Sequence, residues 1–582
     1  MAEKLYERRW AALAVLALSL VVIGMDNTIL NVALPTLVRD LDASASELQW
    51  MVDAYVLVFA GLLLTMGALG DRFGRKLVLD LGLLVFVAGS VASAWAGSPE
   101  VLIATRAAMG VGGAMIMPAT LSIITDTFPA AERERAIGIW AGMAGLGIVL
   151  GPVVGGWLLE HFWWGSVFLV NVPVVGVALL AGWALVPESK DPRATPLDPI
   201  GALLSMAGLG SLVYAIIEAP DNGWTDPVTL WGFGAGGVLL ALFVAWELRT
   251  PHPMLQIGLF RNPRFSAASA AITLVFFALF GTIFVLQQHL QFVLGYDALE
   301  AGSRLLPVAT LVLAAPLAAR LSEHVGTKAV VAVGLGVVTT GLWLVSRVDV
   351  ADGYTPIAWS LAVLGLGMGA TMAPATASVM GSLPLAKAGV GSAMNDTTRQ
   401  VGGALGVAVL GSVLSSSYRD AIDPALARLP GRAAAAAHDS VGAALGVAGR
   451  LGAAGGPLAQ AARGAFVDAM GDVALVAAAA ALLGALVTLV LLPARAPARA
   501  PEPLLDVDLA AAAATLAAIA EALESSGDGL PARLRQAAGA LVPAEGRSEE
   551  ERARAAAREV LRPLAARALR RAAKAPGTRD GA

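Results

Sequence analysis

Residues 21–35, VVIGMDNTILNVALP, decide how the rest of the chain is read. From Trp10 to Leu34 nearly every residue is apolar, enough to cross a bilayer that needs about 20 residues of helix. Yet Asp26 stands near the middle of the run. A carboxylate at a bilayer centre costs roughly 2.5–3.5 kcal/mol, and such residues mark functional positions. The run follows a short basic start (Lys4, Arg8, Arg9) and has no small-residue cleavage site, so it reads as a retained first span and not a signal peptide.

The whole chain has the same character. Of 582 residues 57% are hydrophobic and 14% charged, the mean hydropathy is +0.71, and there is no cysteine. A soluble protein carries about a quarter charged residues, so the composition excludes a soluble domain and indicates a polytopic, all-α integral membrane protein. A chain without cysteine has no disulfide framework and no thiolate metal site. The net charge of -4 is uninformative beside the positions of the charges.

Apolar runs fall near 11–33, 48–69, 78–97, 101–125, 136–159, 166–186, 199–219 and 229–248, then near 268–291, 303–321, 329–346, 356–380, 391–416 and 472–493. These make about fourteen spans. With the N-terminus inside, the short inner loops carry Arg72, Arg75, Lys76, Arg133, Arg135, Lys190, Arg193, Arg249, Arg261, Arg264, Arg320, Lys328 and Lys387, whereas the short outer loops carry little beyond Arg39, Arg304 and Arg347. That asymmetry orients a bundle and predicts both termini in the cytoplasm and a place in the cytoplasmic membrane.

The chain repeats itself at an offset of about 250 residues. DRFGRK (71–76) after span 2 is echoed by EHVGTK (323–328) after span 10, and GAMIMPAT (113–120) in span 4 by GATMAPAT (369–376) in span 12. Spans 1–6 thus map onto 9–14, and spans 7 and 8 are an insertion. The expected organisation is a six-helix half over 1–190, two inserted helices with linkers over 191–262, a second six-helix half over 263–493 and a tail over 494–582. Two repeats about an axis along the membrane normal, with the site between them, suit a rocking transporter. Residues 417–471, rich in Ala and Gly, read as a long outer loop. The tail contains two amphipathic stretches, 507–524 and 548–573.

Four motifs carry chemistry. In MGALGDRFGRKLVL (66–79), Gly67, Gly70 and Gly74 permit a tight turn and close approach, and Asp71, Arg72, Arg75 and Lys76 supply both signs of charge at the inner face. Arg106, inside span 4, requires a partner or a wet cavity. In GLGIVLGPVVGGWLL (145–159), Gly147, Gly151, Gly155 and Gly156 surround Pro152; small residues four apart let helix backbones touch. Acids recur at Asp53 in span 2 and at Asp396 in span 13, where Arg399 follows at i+3.

MDNTILNVALP, GALGDRFGRK, Arg106 with Gly110, and GIVLGPVVGG resemble the signature motifs of the major facilitator superfamily, in this order along the chain. With about fourteen spans the chain resembles its proton-coupled multidrug exporters, the drug:H+ antiporter subfamily with two central extra helices. The resemblance covers about residues 10–493. It implies the major facilitator fold, two six-helix halves plus two inserted helices, and makes 145–159 the antiporter motif. Met109 stands where the family often has Gln.

On that reading Asp26 is the exchange site. Desolvation favours the neutral carboxyl, which holds a proton and releases it when a cation arrives; the two ligands are mutually exclusive and reciprocally coupled. Asp53, Arg106 and Asp396 join Asp26 as proton-coupling candidates, and Asn31, Gln287 and Gln288 join it as substrate-binding candidates. The bland readings stand beside these: Asp26 as a polar clamp with Asn27 and Asn31, Asp53 solvated near the outer end of its helix, Asp396 neutralised by Arg399, His289 solvated, and Phe276, Phe277, Phe280 and Phe284 as core. The loop at 71–76 is expected to be a conformational latch, Asp71 facing the start of span 13 near Gly391 and Arg75 reaching Asp126.

The expected function is therefore proton-coupled export of lipophilic, cationic drugs or toxic compounds across the cytoplasmic membrane, with a lipid or an endogenous secondary metabolite as the alternative cargo. No cofactor is expected beyond the coupling proton, no metal, and no partner beyond substrate and membrane lipid; nucleic acid has no place. An intramembrane enzyme is disfavoured, since the chain has neither HExxH nor a cysteine nucleophile.

Overall fold

The computed structural model describes residues 2–190, 197–382, 388–427 and 429–493. The tail with its two expected amphipathic helices, Arg193 and Lys387 lie outside them, as do the side chains of Arg133, Arg135 and Gly391. Within a bilayer every backbone N–H and C=O must be satisfied inside the chain, and the described residues form helices with no strand.

In chain order these are α1 (Ala2–Asp40), α2 (Ala45–Phe73), α3 (Arg75–Ala94), α4 (Pro99–Thr127), α5 (Ala130–His161), α6 (Ser166–Leu169), α7 (Asn171–Leu185), α8 (Pro199–Asn222) and α9 (Pro227–Glu247). Then come α10 (Pro263–Gln288), α11 (Ala298–Ser303), α12 (Thr310–Val325), α13 (Thr327–Val345), α14 (Tyr354–Gly381), α15 (Ala388–Leu426), α16 (Gly431–Asp439), α17 (Val441–Arg450) and α18 (Gly456–Leu491). Thirteen helical stretches among the described residues are long and apolar enough to cross a membrane. α5 has a shorter described apolar part, 145–161, and is the expected fifth span.

Helix starts follow the sequence closely. Ser44 and Glu47 form a reciprocal capping box at α2, the Glu47 N–H donating to Ser44 Oγ (3.3 Å) and the Ser44 N–H to Glu47 Oε2 (2.8 Å). Asp198, Asp226 and Asn262 cap α8, α9 and α10, each just before a proline at the first helical position.

The internal repeat has a structural counterpart. Gly74 between α2 and α3 and Gly326 between α12 and α13 both take positive φ, 127° and 92°, the conformation that favours glycine. A Cβ at Gly82 would lie 3.0 Å from the Gly112 carbonyl, and one at Gly334 3.0 Å from that of Gly367. The α3/α4 and α13/α14 pairs thus cross on matching glycines, and Pro118 and Pro374 occupy matching places inside α4 and α14.

The segment 417–471 corrects the expectation of a long loop. α15 runs on to Leu426, α16 and α17 are short helices, and α18 begins at Gly456, sixteen residues before the apolar run. Alanine is the best helix former, and Ala437, Ala444 and Ala448 are buried, so small side chains pack where no hydrophobic run announces a helix.

Among the described residues, the hydrogen bonds and closest backbone approaches between the 1–190 and 263–493 parts lie toward one end, that of residues 41–44. Gln49 packs on Gly411, Gly156 on Ala298 and Leu299, and Gly442 on Val38, and Gln291 Nε2 donates to the Val32 carbonyl at 2.9 Å. This end is closed.

Candidate functional site

Asp26 is fully buried, and the structure supplies its partner. Arg106, itself 1% exposed, reaches from α4 to place Nη1 2.5 Å from Asp26 Oδ2. The other oxygen, Oδ1, accepts from Asn171 Nδ2 of α7 at 3.3 Å. Asn171 also donates to Ser90 Oγ of α3 at 2.9 Å, and Ser90 donates to the Phe168 carbonyl at 2.9 Å. Arg106 Nε donates to the Met51 carbonyl of α2 at 3.1 Å, and the guanidinium lies 4.4 Å from the Tyr55 ring centroid.

A buried ion pair is stable only when further hydrogen bonds satisfy both partners, and here four further elements of the same half, α2, α3, α6 and α7, contribute them. Asp26 is therefore paired with Arg106 in this arrangement. The clamp with Asn27 and Asn31 is absent: each amide donates to a carbonyl one turn earlier in its own helix, Ile23 at 2.9 Å and Asn27 at 3.3 Å.

Asn171 and Ser90 escaped sequence reading, although Asn171 is the lone amide of the 166–186 run.

Asp53 behaves differently. It is fully buried, and neither carboxylate oxygen has a hydrogen-bonding partner among the described residues. Gln49, one turn earlier on the same face, packs against Gly411 of α15, so Asp53 falls on the α2 face that meets the other half. The solvated reading of Asp53 is overturned.

In the second half, Asp396 is buried and Arg399 Nη1 lies 3.9 Å away. Arg399 also reaches Thr376 Oγ1 at 3.3 Å and lies 5.5 Å from the Phe276 ring centroid. Gln287 and His289 are both completely buried, with no side-chain polar partner among the described residues, which corrects the solvated reading of His289. His289 opens a π-helical turn, His289–Val293, a feature that concentrates at functional positions. Gln288 donates to the Phe284 carbonyl at 3.3 Å. No hydrogen bond or ion pair among the described residues joins Asp26, Asp53 and Asp396 to one another.

At the opposite end of the bundle, Arg75 Nε pairs with Asp71 at 2.8 Å and Nη1 with Asp126 at 3.6 Å, so the expected Arg75–Asp126 contact forms. The Arg75 N–H donates to the Ser189 carbonyl at 2.8 Å, and Lys76 Nζ to the Trp183 carbonyl at 3.2 Å. The loop thus fastens α2, α3, α4 and the segment after α7. Arg72 stacks on Phe73, 5.6 Å from its centroid, and a Cβ on Gly67 would lie 3.3 Å from Pro118. The expected meeting of Asp71 with the start of α15 near Gly391 falls on side chains outside the described set.

The glycines of 145–159 have two different faces. A Cβ at Gly147 would lie 2.5 Å from the Val21 carbonyl, and one at Gly151 2.7 Å from that of Met25; Gly155 abuts Ile29. These three press α5 onto α1, where Thr28 Oγ1 also donates to the Ile148 carbonyl at 3.0 Å. Gly156 and the Pro152 carbonyl face α11 of the other half instead, against Ala298, Leu299 and Gly302. Overpacking costs about 1–3 kcal/mol, so Gly151→Val is expected to lower the temperature at which the detergent-extracted protein loses its monodisperse peak. Gly145→Val, with nothing within 4 Å of its Cβ, is expected to leave that temperature unchanged.

The family model described as Major Facilitator Superfamily matches residues 16–407. The chain is 40% identical over 483 residues to the multidrug efflux pump LfrA of Mycolicibacterium smegmatis, covering 82% of this chain and 95% of that protein. It is 36% identical to the methyl viologen resistance protein SmvA of Salmonella typhimurium (79% and 93% covered) and 33% identical to the tetracenomycin C resistance and export protein of Streptomyces glaucescens (86% and 95%). Among solved structures, a bacterial homologue of the human lysosomal transporter Spinster, in an inward-facing and unoccupied conformation, aligns with TM-score 0.60 at 21% identity, covering 84% of this chain and 99% of that one.

Proposed function

From the premise that this chain belongs to the major facilitator superfamily and is a drug-efflux transporter, we propose that it is a proton-driven antiporter of the cytoplasmic membrane, expelling lipophilic cations. The observation that carries the proposal is Asp53, buried on the α2 face whose Gln49 packs on Gly411 of the second half, without a donor for either oxygen among the described residues. An isolated carboxylate in an apolar interior is so costly that the group takes up a proton instead. From the cytoplasmic side the proton leaves and a cation takes its place; when the closed end parts, the cation leaves outward and a proton returns to the carboxyl. The two ligands exclude each other, and a ligand shifts the balance of states only by its differential affinity for them.

Asp26 and Arg106 are then the support for this exchange. Arg106 bonds the Met51 carbonyl, two residues before Asp53 on α2, so a change in the Asp26–Arg106 pair is felt by the backbone that carries the exchanging acid. Asp396 with Arg399 plays the corresponding part in the second half, and Gln287, Gln288 and Asn31 line the cargo's path. The 71–76 latch and the 147–156 glycines hold opposite ends of the bundle. We place the basic 71–76 end in the cytoplasm on the positive-inside asymmetry, with both termini there and the closed end outside. The repeat supports halves at 1–190 and 263–493 around the inserted pair at 191–262. Substrate, proton and membrane lipid are the only partners the proposal requires, with no cofactor and no chemical step.

SmvA, named for resistance to methyl viologen, an organic dication, supports cationic cargo; the relative named for tetracenomycin C export supports a secondary metabolite as the second reading. Purified protein in liposomes with an imposed pH gradient separates them. Cationic dyes are expected to accelerate collapse of the gradient in proportion to their transport. Uphill export that is equally fast with no gradient overturns antiport, and gradient collapse by neutral polyketides alone favours the second reading.

A further inference from the structure

The closed end carries a cluster of charges that the exchange described above does not use. Arg419, in the last third of α15, donates from Nη1 to the Pro220 carbonyl at 2.5 Å, while Nη2 pairs with Asp221 and, at 3.4 Å, with Asp439. Pro220 and Asp221 close the C-terminal turn of α8, where a cation is favoured by the helix dipole. Asp439 ends α16 and faces the first N–H of α2, that of Ala45, which favours its ionised form. One guanidinium and one carboxyl thereby tie α15, the inserted α8 and α2. Two neighbouring bonds follow the same seam: Ser412 Oγ donates to the Ile216 carbonyl at 2.6 Å and Trp50 Nε1 to Glu218 Oε1 at 3.0 Å.

The charge count of this cluster does not close. Two carboxylates share one guanidinium, leaving one surplus negative charge among side chains that are 11% (Arg419), 33% (Asp221) and 28% (Asp439) exposed. Burial pushes the Asp439 carboxyl above its ordinary range; Arg419 opposes that rise, Asp221 adds to it and the Ala45 N–H opposes it. Tyr418 of α15, also beside it, donates its hydroxyl to the Ala437 carbonyl at 3.1 Å. The adjacent His438 is turned to Asp423 at 3.2 Å. Asp439 also lines a cavity with Gln49, Gln288, Ser415 and Phe466, between α2 and the second half.

We infer that Arg419, Asp221 and Asp439 form a proton-binding site that closes this end of the bundle. A proton on Asp439 cancels the surplus charge. The closed arrangement, which gathers both acids around one guanidinium, holds that proton more tightly than an open one in which Asp439 has left α2 for water. The sign follows from linkage: the state with the higher proton affinity gains population as pH falls. Acidity at this face therefore favours closure, and deprotonation of Asp439 favours opening. In a pump of the proposed kind, this returns the emptied molecule to the closed state after cargo has left.

The native chain has no cysteine, so Gly97→Cys and Ala351→Cys provide unique spin-label sites. Gly97 has open space around its Cβ, and both residues are exposed, in connections at the closed end of the two halves. Pulsed EPR distances in lipid between pH 8 and pH 5.5 are expected to show a rising short-distance fraction in the parent protein. Asp439→Asn is expected to show the acid-like distribution already at pH 8, with its response to pH reduced at least two-fold. A parent-like distribution for Asp439→Asn at pH 8, or labels that separate on acidification, overturns the inference. Should Asp439→Asn fail to fold, Asp221→Asn removes the same surplus charge and must give the same result. The labels report the gate whether or not cargo moves, so failure of antiport with a normal EPR response counts against the proposed function alone.

Discussion

Arg106→Ala is expected to destabilise the protein by about 3–5 kcal/mol, the usual consequence of removing one partner of a buried ion pair, and to abolish transport. Asp26 is completely buried, and among the described residues the donor left to it would be Asn171 at 3.3 Å. The loss reaches further than the pair, since the same guanidinium holds the Met51 carbonyl at 3.1 Å and covers the Tyr55 ring. The measurement is the yield and thermal half-loss of monodisperse protein in detergent, followed by dye export from loaded liposomes. Adding Asp26→Asn to Arg106→Ala removes the orphaned charge and is expected to recover most of the stability but none of the transport. Arg106→Lys tests the fork itself: a compact ammonium keeps the charge but cannot grip two acceptors in a plane, so it should fold better than Arg106→Ala and still transport poorly. A double variant no more stable than Arg106→Ala would show that Asp26 and Arg106 do not depend on one another.

That pair also shows where sequence reading stops. Hydropathy locates Asp26 and Arg106 inside apolar spans, and the cost of each charge says that a partner exists. Periodicity carries no information about which helices are neighbours, so a contact across 80 residues of chain was not legible, and Asp26 read as a free exchanging acid. The acid without a partner among the described residues is Asp53, which the sequence offered as a proton-coupling candidate beside a solvated reading near the outer end of its helix. The C-terminal connection closes over that end instead: Gly442 of α17 packs on Val38 and Phe292. This cover was invisible for the same reason that 417–471 read as a loop, its buried faces being built from alanine and glycine.

What depended on local chemistry was legible. The turn at Gly74 with φ of 127° and the reach of Arg75 to Asp126 at 3.6 Å follow from the motif at 66–79. The repeat was legible because it is written twice: matching glycines at Gly82 and Gly334 serve the same helix crossing. The charge surplus around Arg419 was not, since its three carriers lie on α8, α15 and α16 and only folding brings them together.

Asp53→Asn is expected to lower gradient-driven uphill export of cationic dyes by at least about ten-fold, a loss of about 1.4 kcal/mol or more of coupling, and to lower their counterflow with it, while leaving the thermal half-loss of monodisperse protein unchanged. Asparagine is nearly the shape of a protonated aspartate, and the native site offers the carboxyl no partner to lose, so the fold is expected to tolerate it, unlike a substitution at Arg106. In counterflow, labelled cargo exchanges for unlabelled cargo across the closed and open states with no net proton movement, but a side chain fixed in the neutral form offers a cation no charge to bind, so this mode falls too. In gradient-driven export the proton must leave, and asparagine has none to give. Asp26→Asn provides the contrast: it unbalances Arg106 and should lower the thermal half-loss of the protein as well as both modes. If instead Asp53→Asn retains full gradient-driven export and Asp26→Asn alone loses it, the exchanging acid is Asp26, and the ion pair with Arg106 must break in each cycle for the proton to enter.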